Sequence, residues 1–180
     1  MKILYHLQAM QLFKKHLSLF TKFKTVQALL FLAIPLILIL VNGTPTLKSI
    51  SAYVNYTPVA FSFMLTMAGS LFIYDSVVDK KSPYNSFIGV SLFGVVLFNH
   101  LVFPILHYSF AIIFFIGSLF NMIFFSSNSQ RPLKILTAVA VLFGMLGCFY
   151  FNWYSIFWAE WVGMVPISLH FVLEELGKID

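Results

Sequence analysis

The sequence is poor in charge: only 9% of its 180 residues are Asp, Glu, Lys or Arg, where an ordinary soluble domain carries roughly 25%. So few charges exclude a water-soluble globule. Cysteine occurs once, as Cys148 inside an apolar run, which excludes a disulfide framework and a cysteine metal cluster. Also missing are a glycine-rich phosphate loop, His-Glu-x-x-His, Gly-x-Ser-x-Gly and Cys-x-x-Cys, the local signatures of nucleotide binding, zinc proteolysis, serine hydrolysis and dithiol chemistry. No lysine stands mid-span to carry a retinal, and no arginine ladder marks a voltage sensor. The formal net charge of +5 sits at segment ends and forms no stripe, so nucleic acid is not an expected partner.

Apolar residues make up 60% of the chain, 22 of them phenylalanine. They gather in six stretches near the roughly 20 residues needed to cross the hydrocarbon of a bilayer: 25–42, 58–78, 85–103, 106–126, 134–152 and 154–174. The predicted fold class is therefore all-α, a polytopic membrane protein with a bundle of six transmembrane helices over residues 24–176 and a short tail at 177–180. Residues 1–23 place Leu4, Leu7, Met10, Phe13, Leu17 and Phe20 at helical spacing, interrupted by Lys14, Lys15 and Lys22. They read as an amphipathic basic segment on the membrane surface or as a basic flank of the first span. The stretch "LVNGTPT" lacks a small-x-small cleavage site, so the first span is expected to be retained.

Lysine and arginine in short loops set orientation. Lys2, Lys14, Lys15, Lys22 and Lys24, then Lys80 and Lys81, then Arg131 and Lys134, then Lys178 all fall on one side of six spans, and only Lys48 falls opposite. Both termini are expected to be cytoplasmic. Trp153, Tyr154, Trp158 and Trp161 then belong to an outer aromatic belt, and Ser62, Thr66 and Ser70 give the second span a smooth face for close helix approach.

The polar residues sort into two groups. On the outer side lie Ser49, Ser51 and Tyr53 of the first loop, His100 ending span three, His107 and Tyr108 opening span four, and Glu160 roughly 9 Å below the outer end of span six. A charged side chain at bilayer depth costs about 2.5 to 3.5 kcal/mol on insertion scales, so Glu160 needs a partner or a task. One reading has His107 orienting its hairpin while Glu160 hydrogen-bonds to the first loop. The alternative is a zinc site on His100, His107 and Glu160 with an open position for water. On the inner side stand Asp75 and Asp79 at the end of span two, with His170 and Glu174 four apart on span six. They read as interfacial charges balanced by Lys80 and Lys81, or as a proton relay.

The boxes "SISAY" at residues 49–53, "LHYSFAIIFF" at 106–115 and "FWAE" at 157–160 resemble those of an uncharacterised family of small bacterial multi-span proteins. The likeness covers roughly residues 47–175 and implies that Ser49, Ser51, Tyr53, His107, Tyr108 and Glu160 belong to one shared feature. A more distant likeness is to membrane hydrolases of the alkaline ceramidase and adiponectin-receptor type, which use serine, aspartate and three histidines around zinc. This chain departs from them: its last span has Glu160 and a lone His170 in place of His-x-x-x-His.

The expected protein is an accessory or lipid- or amphiphile-binding component of the bacterial cytoplasmic membrane, with no cofactor and no enzyme activity. Two alternatives stand beside it: a zinc-assisted lipid hydrolase with a serine of the first loop, and a pore-forming or proton-conducting subunit using Asp75, His170 and Glu174. Membrane lipids are the expected partners, with self-association or other membrane proteins as further ones.

Overall fold

The computed structural model describes residues 25–43, 46–78, 84–125 and 131–175, and among the described residues every regular element is helical. Helix α1 (Thr25–Asn42) leads through a 3-10 turn (Ser51–Asn55) into α2 (Pro58–Val78). Then follow α3 (Asn85–Leu97), α4 (Pro104–Phe120) continued by a π-helical turn (Asn121–Phe125), α5 (Arg131–Phe149) and α6 (Ile156–Glu175). The basic segment 1–23 and the tail 177–180 lie outside the described residues.

Five helices are long and apolar enough to cross a membrane. The exception is α3, which has 13 residues and is about 20 Å long at 1.5 Å per residue. The apolar run to residue 103 predicts a longer helix than the one that forms. Asn99 ends it by a local turn: its Oδ1 accepts the Leu101 N–H at 2.8 Å, and its carbonyl accepts the Phe103 N–H at 2.8 Å. Pro104, which offers no N–H, then opens α4 as its first residue. Leu101, Val102 and Phe103 stay exposed and extend the apolar surface of α3 beyond its last turn.

In hydrocarbon the hydrophobic effect does not favour one apolar contact over another, so helices associate by close packing and hydrogen bonds. α2 crosses α3 where Gly69 meets Gly89: a Cβ on Gly89 would lie 2.5 Å from the Gly69 carbonyl oxygen. Ser62, Thr66 and Ser70 are not at that crossing. They line an outward groove of about 610 Å3 with Phe63, Met67 and Tyr74, on a face of α2 turned aside from the glycine pair. α5 and α6 form a hairpin whose turn places Asn152 at φ 53°, a left-handed conformation that asparagine tolerates at a helix end. The Tyr154 hydroxyl closes it by donating to the Gly144 carbonyl.

Four phenylalanines lock the centre of the bundle. The ring of Phe72 on α2 lies 5.4 Å from that of Phe31 on α1, 6.2 Å from Phe114 on α4 and 5.2 Å from Phe171 on α6. All four are buried. This aromatic layer lies between two groups of polar side chains, one beside the loop after α1 and one beside the end of α2, the outer and inner groups of the expected orientation.

Candidate functional site

In the outer compartment the segment after α1 folds back onto the start of α6. The backbone N–H of Ile50 donates to Glu160 Oε2 at 2.5 Å, and the Ser51 N–H bonds to the same carboxylate. In return, the Phe157 N–H, in the first turn of α6, donates to the Lys48 carbonyl at 2.9 Å. Helix N-termini leave their first N–H groups without intrahelical acceptors, and Lys48 supplies one. A loop and a helix separated by more than a hundred positions are thus joined by reciprocal bonds. The loop holds its own shape through Ser49, whose Oγ accepts the Ala52 N–H at 3.0 Å and pairs with Ser51 Oγ at 3.1 Å.

His107, in the first turn of α4, is buried. Its Nδ1–H donates to the Phe98 carbonyl at 2.7 Å, tying α4 to the last turn of α3 across the tight connection. Ser51, His107 and Glu160 line one cavity of about 50 Å3. Its other walls are apolar, with Phe31, Leu65, Phe114 and Met164 among them. About 10 to 15 Å3 of such space is enough to hold a water molecule, so the cavity has room for water beside its polar groups.

The remaining outer residues are placed less centrally. Tyr53 is fully buried with its ring 6.2 Å from that of Phe157, and its hydroxyl has no hydrogen-bond partner among the described residues. His100 stacks obliquely on His107 at 5.5 Å. Tyr108 is 52% exposed and turns away from the cavity. Among the described residues no three His, Cys, Asp or Glu side chains are grouped as metal ligands.

A hydrolytic arrangement needs the nucleophile bonded to its base and the base oriented by a third group. Here Ser51 bonds to Ser49, His107 to Phe98 and Glu160 to the loop amides. The three residue types share a cavity without forming that relay.

The inner compartment is richer than its sequence suggests. Asn121 Nδ2 donates to Asn85 Oδ1 at 2.5 Å, and Asn85 Nδ2 donates to Asp75 Oδ2 at 2.6 Å, linking the π turn to α3 and α3 to α2. Gln27, Lys134, Thr137 and His170 are buried as well. Lys134 counts as a loop cation in the orientation reading, yet it lies within α5 at 1% exposure. Asp79 and the side chain of Glu174 lie outside the described residues. Of the inner set, Asp75 and His170 are placed in the interior, and Asn85 and Asn121 join them. Asn121 carries a readable signal, an amide within an apolar run, while Asn85 looks like loop chemistry beside "SPYN".

A family model described as a family of unknown function, DUF7103, matches residues 33–175. No curated protein and no solved structure matches the chain.

Proposed function

We propose, for a chain that belongs to this DUF7103 family of unknown function, an accessory and non-catalytic role in the bacterial cytoplasmic membrane. It crosses the membrane six times with both termini in the cytoplasm, α3 completing its short path with the apolar loop that follows. The single observation that supports this reading is where the outer polar atoms point: Glu160 and His107 bond to backbone groups of the chain itself. An enzyme of this composition would instead direct them at a nucleophile or a substrate. The outer cluster therefore serves the architecture, holding the first loop over the bundle. Lipid contact falls to the exposed leucines, valines, isoleucines and phenylalanines of the outer helix faces.

The test is lipid hydrolysis by the purified full chain in vesicles of mixed bacterial phospholipids. The expected result is no fatty-acid release above that of empty vesicles, with no change in Ser51→Ala. Release that disappears in Ser51→Ala or His107→Gln would overturn the reading and favour the hydrolase.

A further inference from the structure

The inner compartment places an ionisable group within a series of side-chain hydrogen bonds. Hydrogen bonding alone between α2, α3 and the π turn would be met by neutral amides and hydroxyls, as Ser76 and Ser86 do at 2.8 Å nearby. Instead the chain keeps a carboxylic acid, Asp75, at 4% exposure. Ionisable groups at membrane depth are costly and mark ion or proton handling.

The hydrogen bonds have a direction. Asn121 donates to Asn85, and Asn85 donates to Asp75, so two amides in series present their donor ends towards one carboxylate. π-helical turns such as the one that carries Asn121 are frequent at functional sites. Gln27 adds a second observation. It lies one turn from Phe31 on α1, as Asp75 lies one turn from Phe72 on α2, and these two rings are in contact. Gln27 is therefore level with Asp75, is 1% exposed, and its Nε2 has no hydrogen-bond partner among the described residues. Asp75 stands three residues, roughly 4.5 Å, from the end of α2, while Phe31, Phe72, Phe114 and Phe171 lie between it and the outer cavity.

We infer that the inner polar layer is a proton-binding site, with Asp75 as the group that takes a proton from the water on the side where α2 ends. The proton forms an O–H bond on the Asp75 carboxylate and removes its negative charge. Asp75 then becomes a donor, so Asn85 turns its amide to offer Oδ1, and Asn121 turns in the same sense to accept from Asn85 Nδ2. The chain of bonds reverses without a backbone movement. The charged or titratable side chains described around the layer are Lys134 from α5 and His170 from α6, both buried; α1, α3 and the π turn contribute the neutral Gln27, Asn85 and Asn121. This site is separate from the outer cluster and goes beyond the accessory role.

Infrared difference spectra of the full chain in phospholipid vesicles, acidic minus neutral buffer, test the assignment. The expected result is a protonated-carboxyl C=O band that is absent in Asp75→Asn, retained in Glu160→Gln, and shifted to higher frequency in Asn85→Leu, which takes away the hydrogen-bond partner. A band that survives in Asp75→Asn, or one lost in Glu160→Gln, would overturn it. Should Asp75→Asn fail to fold, the Asn85→Leu spectrum decides, and an unshifted band there overturns the proposal.

Discussion

Glu160 and Ile50 stand 110 positions apart in the sequence and 2.5 Å apart in space, the carboxylate of the last helix accepting the backbone N–H of the first loop. With the Phe157 to Lys48 bond and the buried Tyr53 ring, this contact fastens the first loop to α6.

Removing the carboxylate leaves the amides of Ile50 and Ser51 without their acceptor. Glu160→Ala is expected to lower stability by about 2 kcal/mol, the usual size for a hydrogen bond to a charged group, seen as a lower thermal midpoint in detergent. Glu160→Gln, whose side-chain oxygen still accepts, is expected to lose less than half of that. Equal losses in both variants would show that charge, not acceptance, is what the loop needs.

His107 makes the corresponding bond for the α3 to α4 connection. His107→Leu removes the donor to the part-buried Phe98 carbonyl, at a cost of about 1 kcal/mol, whereas His107→Asn keeps a donor near it and is expected to recover part of the loss. Thermal unfolding of the two variants side by side measures the difference.

The α2 and α3 crossing tolerates no side chain at its centre. In Gly89→Ala the new methyl group would meet the Gly69 carbonyl at 2.5 Å, backbone that cannot rotate away, so the helices must separate. Overpacking of this kind costs about 1 to 3 kcal/mol. The expected outcome is a reduced yield of monodisperse protein, against a near-normal yield for Gly117→Ala, where a Cβ meets nothing closer than 3.8 Å.

Six crossings require the α1–α2, α3–α4 and α5–α6 connections to share one side. With Cys148 replaced by serine, single cysteines at Lys48, Asn99 and Tyr150 are expected to react with an impermeant thiol reagent added outside cells, and one at Arg131 only after the membrane is opened. Labelling of Asn99→Cys from the inside alone would show that α3 does not cross.

The helical class and most span positions were legible because apolar runs near 20 residues admit few other structures in a membrane. Ser51, His107 and Glu160 were legible as candidate outer polar residues, but that they line one cavity was not. The actual partners, the Ile50 N–H for Glu160 and the Phe98 carbonyl for His107, were not, because backbone groups carry no sequence signature. The end of α3 was missed for a local reason: Leu101, Val102 and Phe103 are apolar enough to continue a helix, and only the turn made by Asn99 stops it. Likewise, small residues on α2 are readable as a close-packing face, but which of two faces meets α3 depends on where the partner glycine lies.

The layer of Phe31, Phe72, Phe114 and Phe171 has a thermodynamic consequence. Sites that share no partner and lie well apart have additive effects, within about 0.3 to 0.5 kcal/mol. Substitutions at Glu160 and at Asn85, on opposite sides of the four rings, should therefore sum in the double variant, while substitutions at Phe72 couple to both. The two ends of the molecule can accumulate changes independently, as if they were separate proteins sharing one set of helices.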